Sequence, residues 1–337
     1  INSFLPTMVE RNGIVAPKRA GAKRYKGTTR AEWSVTSELQ YAPLVATEPD
    51  CHEWLIASGF SSATTTDADY LGPFHSAGAS GTDDQIRTYS LLSKDPSTNS
   101  SIEIHYDQLN QDDSKAYHQK ITGARCDWTL SAVSGETVKL SCDGSGIGTE
   151  ATDYAVTFGS AMDVTQTLTT ADPVVCLGTK FKIEAIAPTG SSDVIYGSIS
   201  MLNTLRSLEI SGNMNLVEDL AFNNTAGIAR VRHAPSEPIT ASMQLELVAA
   251  SEFDFEAYMS EGWLIQSTIV FISGSNVIEV YFPSIITGMS RSESDGIIVV
   301  DLDLAGVWDE VSPDGGYDDG GGRVPADDLT IKFIGVV

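Results

Sequence analysis

The sequence lacks an apolar run long enough to cross a membrane. About 20 consecutive apolar residues are needed to span a bilayer, and none of the 337 residues lies in such a run. Hydrophobic residues make up 42% of the chain and charged residues 20%, a balance typical of a globular protein. We therefore expect no membrane partner, and a chain long enough for one large domain or two ordinary ones.

Cysteine is also scarce, and its spacing excludes the usual metal sites. The four cysteines are Cys51, Cys126, Cys142 and Cys176. None of them forms a CxxC pair, and no pair of histidines completes a zinc set. We expect no metal and no other cofactor.

The motifs of the common enzyme classes are absent. There is no GxSxG, no phosphate-binding loop, no HExxH and no dinucleotide fingerprint. Five histidines are scattered along the chain: His52, His75, His105, His118 and His233. Asp301 and Asp303 alternate on one strand at a spacing of about 7 Å, which a glycosidase pair would tolerate. A solvated sheet face has the same alternation and aromatic sugar platforms are not evident, so we expect no enzyme.

Basic residues are few and unevenly distributed. The chain has 21 Lys and Arg against 45 Asp and Glu, a net charge of −24. Residues 1–30 hold seven basic residues and one acid, which leaves 14 basic and 44 acidic residues, a net of −30, in the rest. The basic seven are Arg11, Lys18, Arg19, Lys23, Arg24, Lys26 and Arg30. The part of the chain after residue 30 is acidic enough to repel nucleic acid. We predict an extended arm over 1–30 that docks on an acidic neighbour, such as another copy, with nucleic acid as the alternative.

Residues 121–146 have the clearest pattern in the chain. Apolar residues occupy the even positions on both sides of a short polar stretch, as expected for a hairpin with one buried face. A three-residue loop with Gly135 in the left-handed conformation would place Trp128 opposite Leu140. The same register sets Cys126 opposite Cys142. We expect two buried thiols there, with a disulfide as the alternative.

The same plan recurs in the second half. Residues 286–306 again begin with Ile-Thr-Gly, and a strand, a glycine-containing turn and a returning strand follow. In each half the order is a strand, a short capped helix, a hairpin and the Ile-Thr-Gly hairpin. The earlier strands are 33–39 and 239–247, and the helices are 50–59, capped by Asp50, and 251–262, capped by Ser251. We predict an arm (1–30) and two related β domains (31–180 and 181–337).

Two polar stretches are predicted to be loops. Residues 61–86 are rich in Ser, Thr, Gly and Asp, and residues 309–328 are rich in Gly and Asp. Calcium could be proposed for the second stretch, but the spacing and closing glutamate of an EF-hand are missing. We expect a solvated loop there, followed by a final strand that begins at Leu329.

Three segments carry a resemblance to a known family. They are 100–146 (SSIEIHYDQL to LSCDGSG), 205–224 (LRSLEISGNMNLVEDLAFNN) and 262–306 (GWLIQSTIVFIS to DLDLAG), about a third of the chain. Together they resemble the major tail tube protein of bacteriophages with long non-contractile tails. The resemblance implies a mainly β fold: two tube-type β-sandwich or barrel units, each with one short helix, plus the arm and long loops.

The resemblance also implies a virion structural role. Such proteins form stacked rings around a channel through which viral DNA passes without specific binding, and they meet tape measure, tail terminator and baseplate proteins. Two units in one chain favour three copies per pseudo-six-fold ring, with six copies as the alternative. The arm and the 61–86 loop are the candidates for contacts between rings. Another tail, neck or baseplate protein is the first alternative, and a carbohydrate-binding β-sandwich is the second.

Overall fold

The fold is known from a computed structural model of the 337-residue chain. It describes residues 6–10, 24–40, 48–67, 84–91, 101–109, 115–148, 152–155, 173–177, 179–186, 195–200, 205–220, 228–234, 237–246, 255–273, 276–294, 296–307 and 329–335. Within these residues no helix is long and apolar enough to cross a membrane.

This part of the chain holds eighteen strands and two short helices, which confirms the mainly β prediction. The helices are α1 (His52–Ala57) and α2 (Phe255–Glu261). The strands of the first half are β1 (Pro6–Glu10), β2 (Arg24–Glu38), β3 (Ser61–Asp67), β4 (Asp84–Leu91), β5 (Ile102–Leu109), β6 (Lys115–Val133), β7 (Lys139–Gly148) and β8 (Thr152–Ala155). Those that follow are β9 (Lys180–Ile186), β10 (Ile195–Ser200), β11 (Leu205–Gly212), β12 (Leu216–Leu220), β13 (Ile228–His233), β14 (Thr240–Glu246), β15 (Leu264–Ser273), β16 (Asn276–Ser294), β17 (Ile297–Gly306) and β18 (Leu329–Gly335).

Sixteen of the strands form one antiparallel sheet. Its main path runs β1-β2-β7-β6-β11-β14-β17-β16-β15-β9-β10. Strands β5 and β8 pair with β6. Strand β18 pairs with β16 and β4, and β4 also pairs with β3. The remaining two strands, β12 and β13, lie between β11 and β14 in the sequence and form a separate hairpin. Neighbours in sequence are often not neighbours in the sheet, so the path depends on long-range pairing.

The two longest strands, β6 and β16, have similar surroundings. Each has 19 residues, and each register is interrupted at the Ile-Thr-Gly motif. One edge of β6 pairs with β5 and then β11, and the other with β8 and then β7. One edge of β16 pairs with β15 as far as Ile285, and the other with β18 and then β17. Beyond Ile285, no described strand pairs with the β15 edge of β16.

The β-bulge at each Ile-Thr-Gly motif explains in part why the motif occurs there. A β-bulge bends a strand and lets it pass from one layer of a sandwich to the other. Gly123 has φ +60°, a conformation that favours glycine, within the bulge of β6. Gly288 has a different reason, because a Cβ there would lie 2.7 Å from the Asp303 carboxylate.

One hydrophobic core runs through both halves of the described chain. The inward residues of β2, β6 and β7 include Trp33, Trp128 and Leu140, none more than 3% exposed. Phe60, just after α1, packs edge-on against Trp128 with ring centroids 5.3 Å apart. Full burial of a large apolar side chain stabilises a fold by about 1.5–3 kcal/mol. The same core cluster continues through Phe282 in the second half.

The helix predictions were right about the ends and wrong about the first cap. Gly59 has φ +94° just after α1, and Gly262 has φ +67° just after α2, so both glycines terminate helices as predicted. The N-cap of α1 is Cys51, with no side-chain cap hydrogen bond, and the predicted cap Asp50 lies one residue earlier. Ser251, the cap predicted for α2, lies outside the described residues.

The predicted register of the β6–β7 hairpin was wrong. Trp128 pairs with Cys142, not Leu140, and Cys126 faces Gly144. Gly135 does have a positive φ of 84°, but the connection is longer than three residues. The reason is tertiary: the Gly135 N–H donates to Cys176 O at 3.2 Å and the Cys176 N–H to Glu136 O at 2.8 Å. Segment 173–177 therefore holds the turn open.

Two further boundaries differ from the sequence predictions. The loop predicted over 61–86 contains β3, which pairs along its full length with β4. Residues 68–83 lie outside the described part, as do 308–328, which include the second predicted loop. The predicted arm contains β1, and β2 crosses its boundary at residue 30 without interruption. β1 pairs with β2 and β2 with β7, so these parts of 1–30 belong to the sheet.

Candidate functional site

The main sheet has one apolar face and one polar face from β2 to β17. Cross-strand partners share a face, and one such row reads Thr36, Ser141, Thr129, Ser211 and Thr240. The residues between them in each strand point into the core. We call the polar side the acidic face, for the following reason.

Carboxylates outnumber basic groups on this face. Eight acids lie on it: Glu32, Glu38, Asp127, Asp143, Glu209, Glu246, Asp301 and Asp303. Among the side chains that the structure describes, three basic ones lie on it or at its margin, and each has an acidic partner: Arg30 with Glu32, Lys139 with Glu136, and Arg206 with Glu246. These described side chains give the face a net charge of about −5 per copy, which attracts cations.

Short polar side chains fill the space between the carboxylates. Ser211 and Thr240 share a hydrogen bond of 3.1 Å, and so do Thr36 and Ser141. Gln244 Nε2 donates to Asp301 Oδ1 at 2.8 Å, and the Ser290 hydroxyl to Asp301 Oδ2 at 3.4 Å. No aromatic side chain lies on the described part of this face. The surface is hydrophilic and lacks the stacking platforms that sugars or bases would need.

Two carboxylates face each other on adjacent strands of the acidic face. Asp127 and Asp143 are paired in register. Burial and the charge of Asp143 raise the pKa of Asp127, although the Met214 N–H donates to it at 2.6 Å. Like charges opposite each other destabilise a sheet. Asp127 therefore has a structural role, as the acceptor for the Met214 N–H, as well as a place on the acidic face.

The acidic residues singled out in the sequence lie in different environments in the structure. Asp301 and Asp303 point to the acidic face, and Leu302 and Leu304 are buried behind them, as the alternation predicted. Glu136 is exposed at the hairpin turn. The prediction that Glu279 lies on the surface or in the channel is wrong. Glu279 is fully buried and accepts a hydrogen bond from the Tyr281 hydroxyl. It lies in the apolar run 277–282, a pattern that indicates a strand buried on both faces.

The predicted thiol pair lies under α1. Cys126 and Cys142 are free and buried, and the Ser58 hydroxyl lies 3.2 Å and 3.7 Å from their sulfurs. Burial raises the pKa of Cys126, and a hydrogen bond from Cys126 lowers that of Cys142. Burial raises the pKa of Cys51 to about 12. Buried thiols without a neighbouring cation are structural groups.

The histidines do not converge with one another in the described residues. His52 Nδ1 lies 2.8 Å from the Tyr89 hydroxyl, and His233 is buried next to Arg125. His105 and His118 lie in β5 and β6, where their side chains are not described, and His75 is outside the description. Ligand atoms of Glu48, His52 and Glu53 lie within 4.8 Å of one another. Arg87 already pairs with Glu48 at 3.2 Å, so we assign no cation there.

Only part of the predicted basic arm can be placed. Arg24, Lys26 and Arg30 lie in β2, and Arg30 bonds to Glu218 of β12 at 3.1 Å as well as to Glu32. The others, Arg11, Lys18, Arg19 and Lys23, lie outside the described residues. Contacts between rings by these residues stay a prediction.

Stability should fall in acid because of His233. Burial, and then the charge of Arg125, lower the pKa of His233 to about 4, below its usual 6.5. The unfolded chain takes up a proton below pH 6.5 and the folded chain does not, so stability present above pH 6.5 is lost as the pH falls toward 4. A shift of this size corresponds to about 3 kcal/mol.

Urea unfolding at pH 7 and pH 4.5 measures this loss. We expect the free energy of unfolding of His233→Gln to fall less between the two pH values than that of the unsubstituted chain, by about 2 kcal/mol. Both proteins share the carboxylates that also titrate in this range, so the difference isolates His233. Parallel pH curves for the two proteins would contradict the assignment.

No protein-family model matches the chain. A search of curated proteins finds no relative.

Proposed function

We propose that the chain is a virion structural protein that assembles into stacked rings, forming a tail tube lined by the acidic face. The observation that carries this proposal is the strand order of the main sheet. Its first eight strands divide into two similar sets, β1-β2-β7-β6 and β11-β14-β17-β16. A sheet that repeats its own order within one chain is suited to repeat it again between chains.

The repeat supports two related units per chain. Strands β6 and β16 both have 19 residues, and β7 and β17 both have ten. A short helix follows β2 and another follows β14. Each long strand carries its bulge at Ile-Thr-Gly. We propose that the units correspond to residues 31–180 and 181–337, with part of 1–30 completing the first set of strands.

Assembly follows from the edges that this order leaves open. The repeated part begins at β1 and ends at β16, beyond Ile285. Each is an unpaired strand edge among the described residues, and natural proteins cover such edges or pair them. A head-to-tail ring of identical copies pairs every open edge with another.

Strand count favours three copies in each ring. Each copy contributes eight strands, and at about 4.8 Å per strand 24 upright strands make a barrel about 37 Å in diameter. Side chains of roughly 6 Å on each wall leave a bore of about 25 Å, and strand tilt widens it by about 10 Å. One DNA duplex fits such a bore. Six copies would double the barrel diameter to about 73 Å, far wider than a duplex.

The acidic face suits the wall of that channel. Carboxylates repel the phosphate backbone, which supplies most of the affinity of non-specific DNA binding. Short hydroxyl side chains offer no aromatic surface to the bases. Viral DNA would therefore pass along the wall without specific binding and without being held.

The resemblance noted in the sequence supplies the rest of the proposed role. It implies a place in the virion tail, assembly in the host cytoplasm, and contacts with tape measure, tail terminator and baseplate proteins. The basic residues that precede β2, Arg11, Lys18, Arg19 and Lys23, would bridge to the acidic surface of another ring, since opposite charges favour such contacts.

Expression of the chain alone tests the proposal. Negative-stain electron microscopy should reveal hollow tubes or closed rings, and mass measurement should give a multiple of three copies. Single rings that never stack would favour the alternative of a neck or baseplate protein. A chain that stays monomeric at high concentration, also when mixed with preformed tube ends from virions, would refute assembly.

A further inference from the structure

We propose that β1 of one copy pairs with the open edge of β16 in the next copy, along residues 286–294, and that this is the joint of the ring. The inference rests on the proposed assembly and names its contact. It is drawn from a junction that already exists inside one chain, where β11 joins the first set of strands to the second.

The internal junction has a defined geometry. β11 pairs with β14 on one edge, from Leu205 with Leu245 to Ser211 with Thr240. Its other edge pairs with the end of β6, from Ser207 with Val133 to Gly212 with Trp128. Both pairings are antiparallel. β11 is therefore a bridge strand that belongs to the second set and seals the edge of the first.

β1 is the counterpart of β11 at the beginning of the chain. β1 comes before β2 in sequence and pairs with it antiparallel, with Met8 opposite Lys26 and Glu10 opposite Arg24. β11 has the same relation to β14. β2 is the one described partner of β1, whereas β11 has two. The missing partner of β1 is the strand that corresponds to β6.

The strand that corresponds to β6 is β16, and its free edge lies in the right place. β11 pairs with β6 beyond the Ile-Thr-Gly bulge, on the edge opposite β7. On β16 the same edge, opposite β17, is open from Ile286, where pairing with β15 has ended. Nine residues, 286–294, are available there, against six of β6 that pair with β11.

Strand direction permits this joint in a closed ring. Neighbouring strands alternate in direction from β1 to β16, because every pairing in the series is antiparallel. The series has eight members, an even number, so β16 of one copy and β1 of the next run in opposite directions. Antiparallel pairing therefore continues across the joint without reversing either copy.

The composition of the β16 edge explains why it does not associate indiscriminately. Ser290, Arg291, Ser292 and Glu293 are all exposed. Charged and polar residues on an edge strand oppose uncontrolled sheet growth. The joint then depends on main-chain hydrogen bonds to one particular strand, which is the recognition mode of β-strand addition.

Disulfide trapping between two variants, each with one introduced cysteine beside the buried Cys51, Cys126 and Cys142, tests the joint. In a Cys176→Ser background, one protein carries Met8→Cys and the other carries Ser290→Cys or Ser292→Cys, so that either register is sampled. After mixing, assembly and mild oxidation, we expect a covalent dimer on a non-reducing gel for at least one pair, since opposed strand residues meet disulfide geometry. Met8→Cys mixed with Ser242→Cys is the matched control, because both edges of β14 are already occupied.

Deletion of residues 1–10 provides a second measurement. We expect the shortened chain to keep its circular dichroism spectrum and to lose ring formation at least tenfold at equal concentration. Rings of the full chain that yield no trapped dimer, together with normal assembly of the shortened chain, would overturn the joint and leave the proposed function standing. Absence of rings from the full chain would overturn both.

Discussion

Gly144→Ala is expected to prevent stable folding. Gly144 lies in β7, where an added Cβ would come within 2.3 Å of the Arg125 carbonyl oxygen and 2.5 Å of the Trp33 ring. Neither neighbour can move freely, because one is backbone of β6 and the other is a buried indole. Overpacking a core costs about 1–3 kcal/mol and more when backbone must shift. We expect a loss of at least 3 kcal/mol, a large part of the stability of an ordinary domain.

The urea midpoint and the soluble yield measure this effect. Gly288→Ala is the matched control, since it substitutes a glycine of the corresponding hairpin in the second half. Its nearest neighbour is the tip of the Asp303 side chain at 2.7 Å, which can rotate away. We expect a cost below about 1.5 kcal/mol there. Equal midpoints for the two variants would mean that β6 and β7 do not pack as closely as described.

Reversing the charge of one row of the acidic face should make the assembled protein bind DNA. Glu38, Glu209 and Asp303 lie in the same cross-strand row and are exposed. Three substitutions to lysine change the net charge of the face by six units per copy, from about −5 to about +1. In a ring the same row repeats in each copy. We expect the affinity for double-stranded DNA to rise at least tenfold at low salt and to fall steeply with added salt, because lysine releases counterions from phosphate.

Fluorescence anisotropy with a labelled duplex, from 50 mM to 300 mM salt, measures the change. The matched control places three lysines at Asp50, Glu53 and Glu261, exposed acidic residues in or next to α1 and α2 that lie away from the acidic face. It has the same net charge, so equal DNA binding by both triple variants would mean that total charge matters and the face does not. Exposed substitutions cost little stability, and the unfolding midpoint checks that both variants fold.

Much of the fold could be predicted from the sequence where the signal was local. Alternation identified the buried side of the hairpin at Trp128, and glycines marked the ends of both helices. The strand register failed because segment 173–177, more than 30 residues away, decides how the turn opens. β3 was missed since Ser61 and its neighbours form a polar strand whose pairing with β4 has no apolar periodicity.

The acidic face could be predicted only in fragments. The alternation of Asp301 and Asp303 along β17 was visible in the sequence. Glu209 and Glu38 share the cross-strand row of Asp303 only because of strand pairing between distant parts of the chain. Local sequence patterns do not predict the order of strands in a sheet. Glu279 is a different case, because the apolar run 277–282 around it indicated a strand buried on both faces.

The pairing of β4 with β18 has a consequence for biosynthesis. Leu91 pairs with Leu329, 238 residues later in the chain. At about 5–20 residues per second, β4 waits roughly 10–50 s on the ribosome for its partner. The first half of the chain therefore cannot complete its fold while the second half is still being made, and a prematurely terminated chain would leave one edge of β4 unpaired. Only a chain translated through its last strand can close this part of the sheet.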